Sequence, residues 1–174
     1  LMTAHKLPGV PVVVSVDRHR AGQIALERFG SEVVVMDDGF QHLGLFRDID
    51  ILVLDADNPL GNGLVLPAGP LREPVSGARR ADAVWLSGRS SGQLPKALRA
   101  ALGEKPVVRA RAVPGRLVGR AGKSVAVGRL SGTRVLAFCG IARPGRFFEA
   151  LQGLGAVLVD RAVFDDHHRF SGHD

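Results

Sequence analysis

The chain has 174 residues, 45% of them apolar, and a formal net charge of +6. This composition fits a folded protein of one domain or two small ones and excludes a disordered chain. No apolar run reaches the ~18 residues that a membrane span needs. Arginine supplies 19 of the 23 basic residues, and its planar fork matches phosphate oxygens, which points to a phosphorylated or membrane-surface partner. The basic residues are scattered and Trp85 is the one aromatic that is not Phe. A base-stacking platform is therefore missing, and nucleic acid is not the expected partner. The single cysteine, Cys139, allows no internal disulfide and suggests a reducing compartment; its plain alternative is a small buried hydrophobe. The first residue is Leu1, no signal-peptide pattern follows, and the opening residues read as the middle of a helix. A fragment of a longer protein is the expectation.

In chain order, Pro11–Val16 reads as a strand and Arg18–Phe29 as a helix, with Ala21, Ile24, Ala25 and Phe29 on one face. Val33–Met36 reads as the next strand, Ile49–Leu54 as a third that ends at Asp55, and Asp82–Leu86 as a fourth. Leu94–Leu102 has a helical pattern closed by Gly103. Apolar strands alternating with helices predict a parallel α/β sheet. From Val107 the character changes: Val107–Ala112, Leu117–Gly119 and Ser124–Val127 are short strand-like pieces divided by Pro and Gly, predicting an antiparallel ribbon or linker. A second α/β unit follows, with strand Val135–Phe138, helix Pro144–Leu151 and strand Ala156–Val159. The expected division is a core α/β domain over 1–106, a β linker over 107–130 and part of a second α/β domain over 131–174.

Three groups of residues carry candidate chemistry. Asp37 and Asp38 follow Val33–Met36, at the strand end where open α/β sheets place ligands. A carboxylate there suits a nucleotide-bound Mg²⁺, the Walker B arrangement of P-loop enzymes, although surface turns also carry Asp and Gly. The segment from Gly61 to Pro74 holds three glycines and three prolines in Gly61-Asn62-Gly63 and Pro67-Ala68-Gly69-Pro70-Leu71-Arg72-Glu73-Pro74. Arg72 can clamp a phosphate, and Glu73 can orient it or reach a metal through water. The alternative is a rigid surface loop with a solvated Arg–Glu pair. Asp165-Asp166-His167-His168 offers a His beside Asp, the usual way to tune a general base, or else an ordinary polar turn. Arg18, at the start of the first helix, sits on the ligand edge, with Arg20 and Arg47 as nearby alternatives. A Walker A loop is not present in these residues. Gly122-Lys123-Ser124 lacks the required earlier glycine, since position 117 is Leu117, and it reads as a hairpin turn.

Taken in order, these segments resemble one family, tetraacyldisaccharide 4'-kinase, the lipid A kinase of Gram-negative bacteria. The matching residues are Val13 to Arg18, Asp37-Asp38-Gly39-Phe40-Gln41-His42, Arg47 to Ile51, Gly61-Asn62-Gly63 and Leu66-Pro67-Ala68-Gly69-Pro70-Leu71-Arg72-Glu73. Later matches are Gly140-Ile141-Ala142, Pro144, Arg146-Phe147-Phe148 and Asp166-His167. The resemblance implies a P-loop-kinase-like, mostly parallel sheet with a short two-stranded linker and a second smaller α/β domain. It implies ATP and Mg²⁺, transfer of the γ-phosphoryl group to the 4'-hydroxyl of a lipid disaccharide 1-phosphate, and work at the cytoplasmic face of the inner membrane. Carried over residue by residue, Asp37 and Asp38 match the metal and nucleotide carboxylates. His42, Arg18, Arg72 and Glu73 match positions around the phosphates and acceptor, and His167 matches a histidine that pairs with a catalytic Asp. The family's Walker A loop, that catalytic Asp, its membrane-associating N-terminal helix and its Thr-x-Lys-Asp region have no counterpart in residues 1–174. Asn58-Pro59-Leu60 stands where the family often has basic residues.

The expected function is therefore lipid A 4'-kinase, with this 174-residue piece inactive alone. Two rivals stand beside it. One is a metal-dependent phosphoesterase built on Asp37–Asp38 and Asp165–His168. The other is a non-enzymatic module that binds anions or a lipid surface.

Overall fold

The computed structural model of the protein describes residues 2–119, 122–166, 168, 170 and 171. It divides into two compact units, Leu1–Arg111 and Ala112–Asp174.

The first unit opens with the short helix α1, Met2–Lys6, followed by α2, Arg18–Phe29. Helix α2 starts where Asp17 accepts a hydrogen bond from the Arg20 N–H at 3.0 Å. It stops at Gly30, whose left-handed conformation (φ 60°) lets its own N–H reach the Leu26 carbonyl and the following Ser31 N–H reach that of Ala25. The two flanking apolar runs do not behave as expected. Pro11–Val16 and Val33–Met36 form no strand. A strand is made by its ladder of interstrand hydrogen bonds. Neither run has such a partner among the described residues, and Val14, Val16, Val33 and Val35 are exposed.

The sheet of this unit comes from the next three apolar segments: β1 Ile51–Asp55, β2 Ala83–Ser87 and β3 Val107–Ala110, parallel and in that order. Val107–Ala110, expected in the antiparallel ribbon, instead pairs in parallel with β2, with Val84 opposite Val107 and Trp85 opposite Val108. The N–H of Val84 bonds the Pro106 carbonyl at 2.9 Å and fixes that register. Alternation along the strands sends Leu52, Leu54, Val84 and Leu86 to one face. There they meet the 3-10 turn Val75–Arg80 through Ala78, and α3, Lys96–Leu102, through Leu98, Ala101 and Leu102. Leu86, Leu98 and Val84 are almost wholly removed from solvent. On the opposite face Val53, Trp85 and Val108 form a row across the three strands, and all three are exposed.

In the second unit, β4 Arg116–Val118 and β5 Ser124–Ala126 pair antiparallel. Beyond the Val118–Ser124 end of the pair the Gly122 N–H bonds the Gly119 carbonyl at 2.8 Å. Lys123 thus sits in a hairpin and not in a phosphate loop. Then come β6 Arg134–Cys139, α4 Pro144–Gly153 with Pro144 in its first turn, and β7 Val157–Val163. Strands β6 and β7 are parallel, as a strand–helix–strand unit requires. Phe148 of α4 packs on Ala137 and Cys139, and Cys139 is buried and free. The fold is α/β with parallel sheets, as expected.

Candidate active site

The first unit joins the two motif loops through their side chains. Asp37 and Asp38 lie in a turn and not at the end of a strand. Asp38 is in the left-handed region (φ 52°), which short polar side chains tolerate better than most. Its Oδ1 accepts a hydrogen bond from Arg72 at 2.6 Å, in an ion pair in which both side chains are more than half exposed. Asp38 holds the Arg72 guanidinium in its charged form, mainly through that hydrogen bond. One edge of the guanidinium is used this way; a fork with five N–H donors keeps others for an anion.

Glu73 does not pair with its neighbour Arg72. Its Oε1 accepts from Gln41 Nε2 at 2.9 Å and from Arg80 at 2.8 Å, and its Oε2 accepts from a second Arg80 nitrogen, also at 2.8 Å. The Arg80 hydrogen bonds, helped by Gln41, hold the Glu73 carboxyl below its ordinary range against the opposing effect of burial. Arg80 also stacks over the Phe40 ring, 4.8 Å from its centroid.

Each loop has its own bracing. Arg47 grips Asp50 with two bonds of 2.6 and 3.1 Å and donates to the carbonyls of Leu45 and His42. Asp50 is fixed in turn through its N–H to Asp82 at 2.8 Å. The loop from Gly61 to Glu73 is closed by Leu66 N–H to the Leu71 carbonyl at 2.9 Å and by Asn62 Nδ2 to the Ala68 carbonyl at 2.9 Å. A Cβ at Gly69 would run into Asn62 Oδ1 and the Leu64 carbonyl, so only glycine fits that approach.

Of the residues singled out in the sequence, Asp38, Arg72 and Glu73 meet in this cluster, with Asp37 adjacent and exposed. The His42 backbone is anchored beside it by Arg47. Arg18 bonds the Ser15 carbonyl at 3.4 Å and makes no described contact with the cluster. His167 lies outside the described residues. Its neighbour His168, in the second unit, stacks on Phe164 with ring centroids 4.7 Å apart. The turn carrying His168 presses on Gly140, where a Cβ would stand 2.9 Å from His168 Cβ.

Among the described residues, no three His, Cys, Asp or Glu side chains gather into a metal cage. That donor set still fits Mg²⁺, which takes one or two carboxylates and completes its shell with phosphate oxygens and water. The adjacent exposed carboxylates of Asp37 and Asp38 fit that description.

The family model for tetraacyldisaccharide-1-P 4'-kinase matches residues 1–174. The chain belongs to the tetraacyldisaccharide 4'-kinase family. Relatives named tetraacyldisaccharide 4'-kinase include one from Anaeromyxobacter dehalogenans, 44% identical over 98% of this chain and 47% of the relative. Another, from Syntrophus aciditrophicus, is 40% identical over 100% of this chain and 50% of the relative. The crystal structure of the "apo" form LpxK from Aquifex aeolicus in complex with ATP aligns with a TM-score of 0.72 and 34% identity. That alignment covers 96% of this chain and 51% of the crystallised one. The chain spans about half the length of the relatives it matches.

For this member of the tetraacyldisaccharide 4'-kinase family, the sequence pointed to Asp38, Arg72 and Glu73 but gave no role to Gln41, Phe40 or Arg80. Arg80 follows Glu73 by seven residues, across a proline and a 3-10 turn. Pro74 and the 3-10 turn mean that no continuous α-helix spans the two, so their seven-residue spacing carried no usable signal. Among the described residues no helix is long and apolar enough to cross a membrane.

Proposed function

We propose that the protein containing this chain is a lipid A 4'-kinase, which transfers the γ-phosphoryl group of ATP to the 4'-hydroxyl of a lipid disaccharide 1-phosphate at the cytoplasmic face of the inner membrane. The observation that carries this reading is the joining of the two family motifs, Asp37–His42 and Leu66–Glu73, by the Asp38–Arg72 and Gln41–Glu73 contacts. Phosphoryl transfer is mostly positioning and charge neutralisation. Asp37 and Asp38 would hold Mg²⁺, which when bound offsets charge on the β and γ oxygens. Arg72, steered by Asp38, turns its remaining N–H donors to the transferring group, and Arg18 adds positive charge. His42 and Glu73 shape the acceptor side. His167 takes the proton of the acceptor hydroxyl. Residues 1–111, with β3 in the core sheet, carry the nucleotide and metal chemistry, 112–130 act as linker and 131–174 supply the histidine.

The test is transfer of labelled phosphate from ATP to tetraacyldisaccharide 1-phosphate by the protein as encoded. Labelled product, reduced by roughly 100-fold or more in Arg72→Ala, is the expected outcome. ATP-independent release of phosphate from a model ester, without labelled lipid, favours the phosphoesterase instead. The polypeptide 1–174 by itself should give no product, because these residues contain no phosphate-binding loop.

A further inference from the structure

We infer that Arg80 is a positioning residue of this site, a clasp that fixes Glu73 and Gln41 so that the Asp37–His42 turn and the Leu66–Glu73 loop keep one relative placement. The inference rests on the kinase reading above. It stands on four observations. Arg80 engages both oxygens of Glu73, each at 2.8 Å, in the parallel arrangement that only a planar fork provides. The same guanidinium reaches the Phe40 carbonyl at 3.5 Å and covers the Phe40 ring, so it touches both loops at once. Gln41 completes the bridge by donating to Glu73 from the other side. Finally, the backbone of Gly77 lies so close to Glu73 that any Cβ there would strike Oε2 and displace the carboxylate from the fork.

Two features separate this group from an ordinary surface ion pair. Both partners are at least two-thirds removed from solvent, unlike Asp38 and Arg72. The Arg80 Nε is buried and finds no partner among the described residues, so the side chain is placed for its fork and not for full satisfaction of its own donors. With both oxygens occupied by protein donors, Glu73 serves here as the keystone between the loops. The catalytic groups Asp38 and Arg72 are each within three residues of a clasped position, Gln41 and Glu73. A small shift of either loop would therefore separate them.

The experiment compares Arg80→Ala, Arg80→Lys, Glu73→Gln and the Arg80→Ala/Glu73→Gln pair in the protein as encoded. Steady-state kinetics and amide hydrogen exchange are both read. The clasp predicts that Arg80→Ala lowers kcat by roughly 10- to 100-fold while KM for ATP stays within about threefold, since misplacement acts on the reacting geometry. Arg80→Lys, which keeps charge and one hydrogen bond, should regain part of the loss. The double variant should be no worse than the poorer single one, because the two residues act as a unit. Exchange should speed up at residues 37–42 and 64–73 in Arg80→Ala, with β2 amides unchanged. A kcat within about twofold of the parent, losses that multiply in the double variant, or unchanged exchange in both loops would each overturn the clasp. If the parent protein forms no phosphorylated lipid, the kinase reading fails, and the exchange arm alone decides whether Arg80 ties the loops.

Discussion

Asp38 combines a left-handed backbone with an exposed ion pair to Arg72. The conformation costs about 1 kcal/mol or more for a residue with a Cβ and nothing for glycine, whereas the exposed pair contributes at most about 1 kcal/mol. Asp38→Gly should therefore melt at or above Asp38→Ala, although both lose the hold on Arg72; a lower midpoint for the glycine variant contradicts the backbone reading. Glu73 gives a pH signature with a definite sign. Its folded carboxyl lies below its ordinary value because of Arg80 and Gln41. Its stabilisation is thus fully present above the unfolded value of about 4.3 and is lost as pH falls through the lower folded one. The stability gap between the parent and Glu73→Gln, read from urea midpoints, should be flat from neutral pH to about 5 and should close below about 4. A gap that persists unchanged in acid argues against the Arg80–Glu73 contact. At this scale the sequence disclosed which residue types matter, since Asp38, Arg72 and Glu73 stand in dense motifs. It could not disclose the pairing. Arg72 and Glu73 are neighbours that turn to different partners, 34 residues away for Arg72 and 32 and 7 away for Glu73.

Elements with local stop and start signals were legible. Helix α2 was readable from its period and from the residues at its two ends, Asp17 and Gly30. Strands β1 and β2 were readable as short apolar runs, each displaced by a residue or two from its predicted bounds. What failed were statements about pairing. Val33–Met36 is as apolar as β1 but pairs with no strand among the described residues, and Val107–Ala110 looked like ribbon because proline and glycine follow it, yet it docks on β2. Pairing is a long-range property that a window of ten residues does not contain. The central strand is where stability should concentrate. Leu86 is 0% exposed and packs among Leu98, Ala101 and Leu102. Leu86→Ala should lower unfolding free energy by about 2–5 kcal/mol, against under about 0.5 kcal/mol for an exposed change such as Glu104→Gln, as measured by urea denaturation. Comparable midpoints for the two variants would show that β2 is not the centre of the unit.

For the whole molecule, the balance of covered and uncovered apolar surface is the main feature. Parallel sheets are normally covered on both faces. Here one face of β1–β2–β3 is packed by α3 and the 3-10 turn, while Val53, Trp85 and Val108 remain exposed. In the second unit Leu136 and Phe138 of β6, with Val157, Val159 and Val163 of β7, are exposed as well. Patches of this kind bind hydrophobic dyes and promote association. The isolated 174-residue polypeptide should enhance the fluorescence of an apolar dye and elute as more than a monomer, and Val53→Ser/Val108→Ser should reduce both effects; a dye-silent monomer would mean that these faces find cover within the 174 residues. The position of Trp85 has one more consequence. It is the only indole in the chain and stands in the middle of an uncovered row. Its emission therefore works as a native optical gauge of that surface: red-shifted while water reaches the ring, and moving to the blue when any segment or molecule settles over it.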